Sequence, residues 1–314
     1  MEKYFKILAF YEFIYIANQH KLADEIKYFC ENNNIRGVII IAPEGINLTV
    51  AGLPLSISSF ENFIKSRNIK NYHPKYATSD IMPFYRLKVK TKNEIITMLD
   101  RSIDVDSERG VLVDPTDWNQ IIIDPEVLLL DVRNQFEVRL GSFNNSVSPK
   151  TSSFTEFKNY VDNVLEHQKT KKIAMFCTGG IRCEKASYYM KKIGFTDIYQ
   201  LNGGILNYLQ KISQDDSLWN GECFVFDNRV SVDHDLKKGT YMLCRGCNNP
   251  MSITETKSPK YEKDVSCPVC YSLASDEKKN RSRERVKQID LSVSRNEVPS
   301  HVTPTVDEYV SGNY

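Results

Sequence analysis

The stretch Cys177-Thr178-Gly179-Gly180-Ile181-Arg182-Cys183 holds the residues best suited to covalent chemistry in this chain. An apolar run, Ile173-Ala174-Met175-Phe176, leads into it, and a helical pattern from Glu184 leads out. A thiol at a strand end, a loop with two glycines and a helix start form a device for holding a sulfur anion. Glycines let backbone N–H groups turn inward, and the helix N-terminus adds partial positive charge. Together with Arg182 these features lower the thiol pKa, giving a nucleophilic thiolate or stabilising a persulfide. Cys183 stands where it could resolve an oxidised Cys177 as a disulfide, or be a packed thiol.

Four residues separate Cys177 from Arg182. A tyrosine phosphatase needs one more to wrap a tetrahedral phosphate, and it usually carries a histidine where this chain has Phe176. The shorter loop suits a sulfur atom on Cys177.

A second cysteine pattern points to a metal. Cys244-x2-Cys247 and Cys267-x2-Cys270 are separated by nineteen residues, the spacing of a zinc ribbon with four thiolates. Two disulfides or a redox CxxC are the alternatives. Pro250, Pro268 and Gly246 suit the knuckle turns. Four cysteines leave no open coordination position, so this zinc would be structural. His20, His73, His167, His234 and His301 are scattered without ligand spacing, and no non-haem iron triad can be assembled from them. No flavin or nicotinamide motif is seen.

The elements that must position these groups follow from periodicity. Residues 1–95 read β-α-β-β-α-β, the ferredoxin-like order: a strand from Tyr4 to Phe13, then a helix with Leu22, Ile26, Phe29 and Cys30 on one face. Next come the strand Val38 to Ile41, a turn over Pro43 to Asn47, a strand from Leu48 to Val50 and a helix from Ser58 to Lys65. Phe84 to Lys90 alternates like an exposed edge strand. Residues 96–121 read as a charged connector. From 122 to 218 strands and helices alternate, which implies a doubly wound parallel sheet with Cys177 at a strand's carboxyl end, where such sheets hold ligands. Residues 219–290 read as a zinc-ribbon-like segment with a basic helix, and 291–314 as a flexible tail.

Lys278, Lys279, Arg281, Arg283, Arg285 and Lys287 crowd that helix. They read either as a solvated charged face or as contacts to RNA phosphates. Lys70, Lys75, Arg86, Lys88 and Lys90, with Tyr72, Tyr76 and Tyr85, form a second basic and aromatic region. An extruded base could stack there. A net charge of +1 over 314 residues means that any nucleic-acid binding uses local patches. The cysteine usage suits the cytoplasm. No run of eighteen apolar residues exists to span a membrane, and Glu12 interrupts the apolar N-terminal stretch that could otherwise suggest a secretory signal.

Asp131-Val132-Arg133, Glu137, Gly141-Ser142-Phe143, the Cys177 loop and Leu201-Asn202-Gly203-Gly204 together resemble the rhodanese domain. That resemblance implies a persulfide-bearing Cys177, with Asp131, Arg133 and Glu137 organising the loop. Tyr208 stands where a tryptophan is usual. Glu44-Gly45-Ile46-Asn47, Arg86 to Lys90, Gly221 to Val230 and the extended loop ending Cys183-Glu184-Lys185 look like the tRNA uridine hydroxylase family, over about residues 3–301. Leu48 departs from it, where a small residue is expected. The resemblance implies oxygen-dependent 5-hydroxylation of the wobble uridine, with dioxygen as co-substrate and the tRNA anticodon arm, not DNA, as partner. Arg86 and Lys88 join the basic helix as expected tRNA contacts. The alternatives are a sulfurtransferase passing persulfide sulfur to tRNA or a small acceptor, and an idle rhodanese fold serving as an RNA adaptor.

Overall fold

The computed structural model describes residues 4–98, 109–295 and 303–311. The first sheet is built from β1 (Phe5–Phe13), β2 (Arg36–Ala42), β3 (Gly45–Gly52), β4 (Lys75–Ser79) and β5 (Leu87–Thr91), in the order β4-β1-β3-β2-β5. Helices α1 (Gln19–Asn32) and α2 (Pro54–Ser66) cover one face. The Asn18 side chain caps α1 by accepting from the Lys21 N–H at 2.9 Å, and Pro54 opens α2 where no N–H is needed. Period-2 alternation then divides the strand residues. Leu8, Phe10, Ile39, Ile41, Leu48 and Val50 pack beneath the helices with Ile26, Ile57 and Phe60. Their neighbours Ala9, Tyr11, Ile40, Asn47 and Thr49 face the other way, toward the rest of the protein.

The ferredoxin-like order is present, but its last strand is β4, not the 84–90 segment. That segment forms β5, an additional strand parallel to β2 on the far edge. The Glu44-Gly45-Ile46-Asn47 segment is only half turn. Pro43 and Glu44 make the bend, and β3 starts at Gly45. Leu48, the departure from the family pattern, is a buried strand residue and fits without distortion.

A four-stranded parallel sheet follows, in the order β6-β10-β9-β7. In chain order its elements are β6 (Val111–Val113), α3 (Pro115–Ile122), β7 (Val127–Asp131), α4 (Gln135–Val138), β8 (Gly141–Phe143), α5 (Thr155–Tyr160), β9 (Lys172–Phe176), α6 (Ile181–Lys192), β10 (Ile198–Leu201) and α7 (Gly204–Lys211). Near-continuous apolar strands such as Val127-Leu128-Leu129-Leu130 bury both faces, as parallel sheets require. One face packs against α5 and α6 through Phe157, Ala186 and Met190, the other against α3 and α7 through Trp118, Ile205 and Leu209. The expected connector is in part structural. Residues 111–113 supply an edge strand and 115–122 a helix, while 99–108 lie outside the described residues.

The boundary expected at 219 is not a break in the core. β11 (Trp219–Gly221) pairs with β8, and β12 (Cys223–Phe224) pairs with β13 (Ser231–Val232). Trp219, Cys223, Val225 and Val232 all belong to the parallel-sheet core. The cysteine unit is smaller, with β14 (Met242–Leu243) and β15 (Pro250–Met251) ahead of α8 (Asp276–Ser294). The expected tail is also partly ordered. α9 (Val306–Ser311) returns to the first domain, where Val306 and Tyr309 are buried with Phe5, Met82 and Phe84. Residues 296–302, including His301, and 312–314 lie outside the described residues.

Candidate active site

Cys177 follows β9 directly, and its loop is held from outside by the neighbouring turn. The N–H groups of Ile205 and Leu206 donate to the carbonyls of Cys177 and Thr178 at 3.0 and 3.1 Å. With those carbonyls drawn outward, the loop N–H groups are free to face the sulfur, and Gly180 donates to Sγ at 3.2 Å. This geometry explains the second glycine of Gly203-Gly204. A Cβ on Gly204 would stand 2.5 Å from the Cys177 carbonyl and 2.8 Å from the Gly180 nitrogen.

The thiol is fully buried, yet amides surround it instead of hydrocarbon alone. Burial pushes the Cys177 thiol up. The Cys183 side chain, the Arg182 charge and the N–H groups of Cys183 and Gly180 overcome that and take it down to about 5. Burial and the hydrogen bond to Cys177 push Cys183 well above its ordinary value. At neutral pH, therefore, Cys183 is a thiol donating to the Cys177 thiolate.

Arg182 lowers the thiol pKa through its charge, while its side chain is bonded elsewhere. Its guanidinium forks onto the Glu137 carboxylate at 2.6 and 2.7 Å and approaches the Thr178 hydroxyl at 3.4 Å. Glu137 also accepts from Thr178 Oγ1 at 3.2 Å and from the Asn134 N–H at 3.1 Å. The pair is a buried latch between α4 and the loop, and Arg182 reaches the sulfur only through its field. Thr178 takes part in the latch, while Gly179 and Ile181 line the cavity.

Asp131 and Arg133 lie one layer further out. Arg133, fully buried, donates twice to Asp131 at 2.8 and 2.6 Å and once to the Gly141 carbonyl at 2.6 Å. It sits 5.0 Å from the Trp219 ring. The pair braces the corner between β7 and β8, with Ser142 Oγ donating to Asp131 at 2.7 Å. Tyr208, in the tryptophan position, is buried and hydrogen-bonds Asn119 and the Leu218 N–H.

The first domain completes the site. A cavity of about 590 Å³ lies between the outer face of its sheet, the Cys177 loop and the Val225–Arg229 segment. Tyr11 donates to Glu184 at 2.8 Å, and Arg109 reaches the other oxygen of that carboxylate at 2.7 Å. Lys185, fully buried, is held by Glu44 at 2.8 Å and Glu94 at 2.6 Å. The two residues that follow Cys183 thus grip the first domain from α6. Sequence reading quoted Glu44 and Lys185 as motif residues without a role, although two opposite charges in separate motifs were the available signal. Lys75, expected in the second basic and aromatic region, lines the cavity. Burial lowers its pKa to about 8 against the raising pull of Cys177 and Glu184. Arg229 forks onto Asp227 and leaves Nη1 buried without a hydrogen-bond partner in the structure, a donor left over in a residue that lines the cavity.

The four sulfurs of Cys244, Cys247, Cys267 and Cys270 lie within 4.8 Å of one another, with Cys244–Cys270 at 3.9 Å and Cys247–Cys267 at 3.8 Å. Sulfurs about 2.3 Å from a tetrahedral zinc sit about 3.8 Å apart. The donor set therefore fits zinc, and all four cysteines are free thiols.

The basic helix divides in two. Arg283 pairs with Glu262 at 2.6 Å, Arg285 reaches the Arg245 and Asp264 carbonyls, and Lys279 lies over Tyr271. These three hold α8 against the cysteine unit. Lys278, Arg281 and Lys287 are exposed, as are Arg86 and Lys88 on the first sheet. The second aromatic region does not assemble as expected. Tyr72 is buried against Phe10 with ring centroids 3.9 Å apart, and Tyr76 donates to Glu61.

Residues 5–95 match the UPF0176 acylphosphatase like domain, and residues 114–211 match the rhodanese-like domain. The chain has the domain architecture of the UPF0176 family. Among solved structures, a rhodanese-related protein from Thermoplasma volcanium is 24% identical over 32% of this chain and 91% of its own, with a TM-score of 0.26. A rhodanese-like domain protein from Staphylococcus aureus is 20% identical over 31% of this chain and 90% of its own, at 0.26. A protein of unknown function from Rhodopseudomonas palustris, titled a possible tyrosine phosphatase, is 20% identical over 32% and 79%, at 0.28. In this UPF0176 architecture the acylphosphatase-like domain forms one wall of the rhodanese cavity. Among the described residues no helix is long and apolar enough to cross a membrane.

Proposed function

We propose that this protein is an oxygen-dependent tRNA uridine hydroxylase of the cytoplasm, with Cys177 as its catalytic sulfur and the anticodon arm as its partner. The observation that carries this reading is the cavity: an amide-cradled thiolate closes one side of a largely apolar space large enough for a single nucleotide. A base cannot meet a buried sulfur while stacked in RNA, so the uridine is extruded into the cavity. Exposed Phe226, which also lines it, offers a stacking surface at its edge. Lys278, Arg281, Lys287, Arg86 and Lys88 supply phosphate contacts outside it, and dioxygen is the co-substrate.

The rhodanese-like domain and the four-residue loop favour a second reading, transfer of sulfane sulfur from a Cys177 persulfide to tRNA. Nucleoside mass spectrometry of tRNA from a null strain separates the two. Loss of 5-hydroxyuridine derivatives, restored by wild type and not by Cys177→Ser, supports hydroxylation. Loss of thiolated bases with 5-hydroxyuridine intact overturns it in favour of sulfur transfer.

A further inference from the structure

The cavity brings a thiolate and an ammonium from different domains into one space. Lys75 lies on β4 of the first domain, and Cys177 closes the other side. The Lys75 ammonium is 5.6 Å from the centroid of the Tyr11 ring, and that tyrosine's hydroxyl is tied to Glu184 on α6. A Cβ on Gly180 would stand 3.1 Å from the same hydroxyl, so Tyr11 lies against the sulfur-holding loop itself. The charges of Cys177 and Glu184 both act on Lys75, and among the described residues no carboxylate forms an ion pair with it. A half-buried cation without a carboxylate partner, beside an anionic nucleophile, is arranged to meet negative charge on a ligand.

Uracil generates such charge when a thiolate attacks it. Its C5=C6 bond is conjugated with the C4 carbonyl, so addition at C6 sends electrons to O4. We propose, on the reading that uridine is the substrate, that Cys177 adds covalently to C6 of the extruded uracil and that Lys75 is the catalytic acid that receives the charge on O4. The Sγ–C6 bond forms from a sulfur lone pair. The C5=C6 pair moves to C4–C5, the C4=O4 pair moves to oxygen, and Lys75 passes a proton to O4 to become a neutral amine. Nothing is oxidised or reduced. The product is an enol with an electron-rich C5, the carbon that must meet an oxidant in 5-hydroxylation. Return of the O4 proton to Lys75 and departure of the thiolate reverse the step. A Lys75 pKa of about 8 suits an acid that gives and retakes a proton near neutrality.

The test uses an anticodon-arm RNA hairpin with 5-fluorouridine at the wobble position, incubated with the full-length protein without dioxygen. Fluorine makes C6 more electrophilic, so an adduct accumulates. Its enol takes a proton from water at C5 as O4 loses its own, giving a saturated 5-fluoro-5,6-dihydrouracil thioether that survives denaturation. Wild type is expected to give a protein–RNA species mapped by mass spectrometry to Cys177 and absent in Cys177→Ser. Lys75→Met slows adduct formation about 10²-fold and abolishes its decline above about pH 8. Lys75→Arg recovers part of the rate with that decline moved to higher pH, which a purely structural role would not do. Thermal melting of each variant reports whether it has folded. No adduct from a wild-type preparation that hydroxylates the unfluorinated hairpin in air overturns covalent addition and leaves the hydroxylase reading standing. An unchanged rate and pH profile in folded Lys75→Met overturns the role of Lys75. A wild type that neither hydroxylates nor forms an adduct removes the hydroxylase reading beneath both.

Discussion

At the scale of single residues, the site depends on which of two neighbouring thiols is ionised. Cys177 has the amide donors and Cys183 does not, so the negative charge rests on Cys177 and the proton on Cys183. Thiolate absorbance at Cys177, taken as the difference from Cys177→Ser, is expected to rise with a midpoint near pH 5, thiol below and thiolate above. Cys183→Ala removes a hydrogen-bond donor to the anion and moves that midpoint upward; an unchanged midpoint contradicts the assignment. Sequence reading found Cys177 and its loop because two glycines and an arginine around one thiol have few other uses. The route by which Arg182 acts is not legible there, because the carboxylate that holds the guanidinium lies 45 positions away. Breaking that latch by Glu137→Gln leaves a buried cation without its counter-charge. The expected loss is about 3–5 kcal/mol of stability, measured by denaturant unfolding, with activity lost as the loop is released from α4.

Elements explain why the fold was only partly legible. The βαββαβ order of the first domain follows from apolar alternation, but β4, Lys75-Tyr76-Ala77-Thr78-Ser79, has little apolar content. One of its faces serves the cavity and not a core, so its pattern carries no burial signal. The Lys88-Val89-Lys90 alternation in β5 was easier to see and took its place. β6 has three residues within charged surroundings, too few for periodicity to register. Gly203-Gly204 is legible as part of the Leu201-Asn202-Gly203-Gly204 motif, but its task is visible only once Ile205 and Leu206 are seen holding the loop carbonyls. Gly204→Ala tests that task. The added methyl meets the Cys177 carbonyl 2.5 Å away and the residue must keep φ near +69°, a region disfavoured for alanine. The expected outcome is loss of the depressed Cys177 titration and of activity, with the circular dichroism spectrum of the remaining fold retained. A variant that kept both would show that the loop holds its shape without this turn.

Across the whole molecule, the chain is tied together at two places far apart in function. Glu44, Glu94 and Lys185, with Tyr11 and Glu184, hold the first domain against the sulfur loop, and so the cavity exists only when both domains are present. The cysteine unit is tied to the rest differently. Its buried residues are few, chiefly Cys244, Cys267, Cys270 and Met251, with Cys247 half-buried beside them, too small a core to fold without a metal. Arg283 and Arg285 fasten α8 to this unit through Glu262 and the Arg245 and Asp264 carbonyls, so the unit positions the exposed Lys278, Arg281 and Lys287. Removing zinc should therefore detach the basic helix while the cavity stays intact. A chelator, or Cys267→Ser, is expected to abolish amide-exchange protection over 242–294 and leave the parallel sheet protected and the Cys177 midpoint near pH 5. RNA binding supplies the matching measurement. Each phosphate contact contributes about 0.7–0.9 to the slope of log affinity against log salt. The triple change Lys278→Ala, Arg281→Ala, Lys287→Ala should then flatten the slope by roughly 2–3, and chelation should flatten it to the same degree. If chelation weakens RNA binding without altering the salt slope, the zinc unit does not act through these three cations.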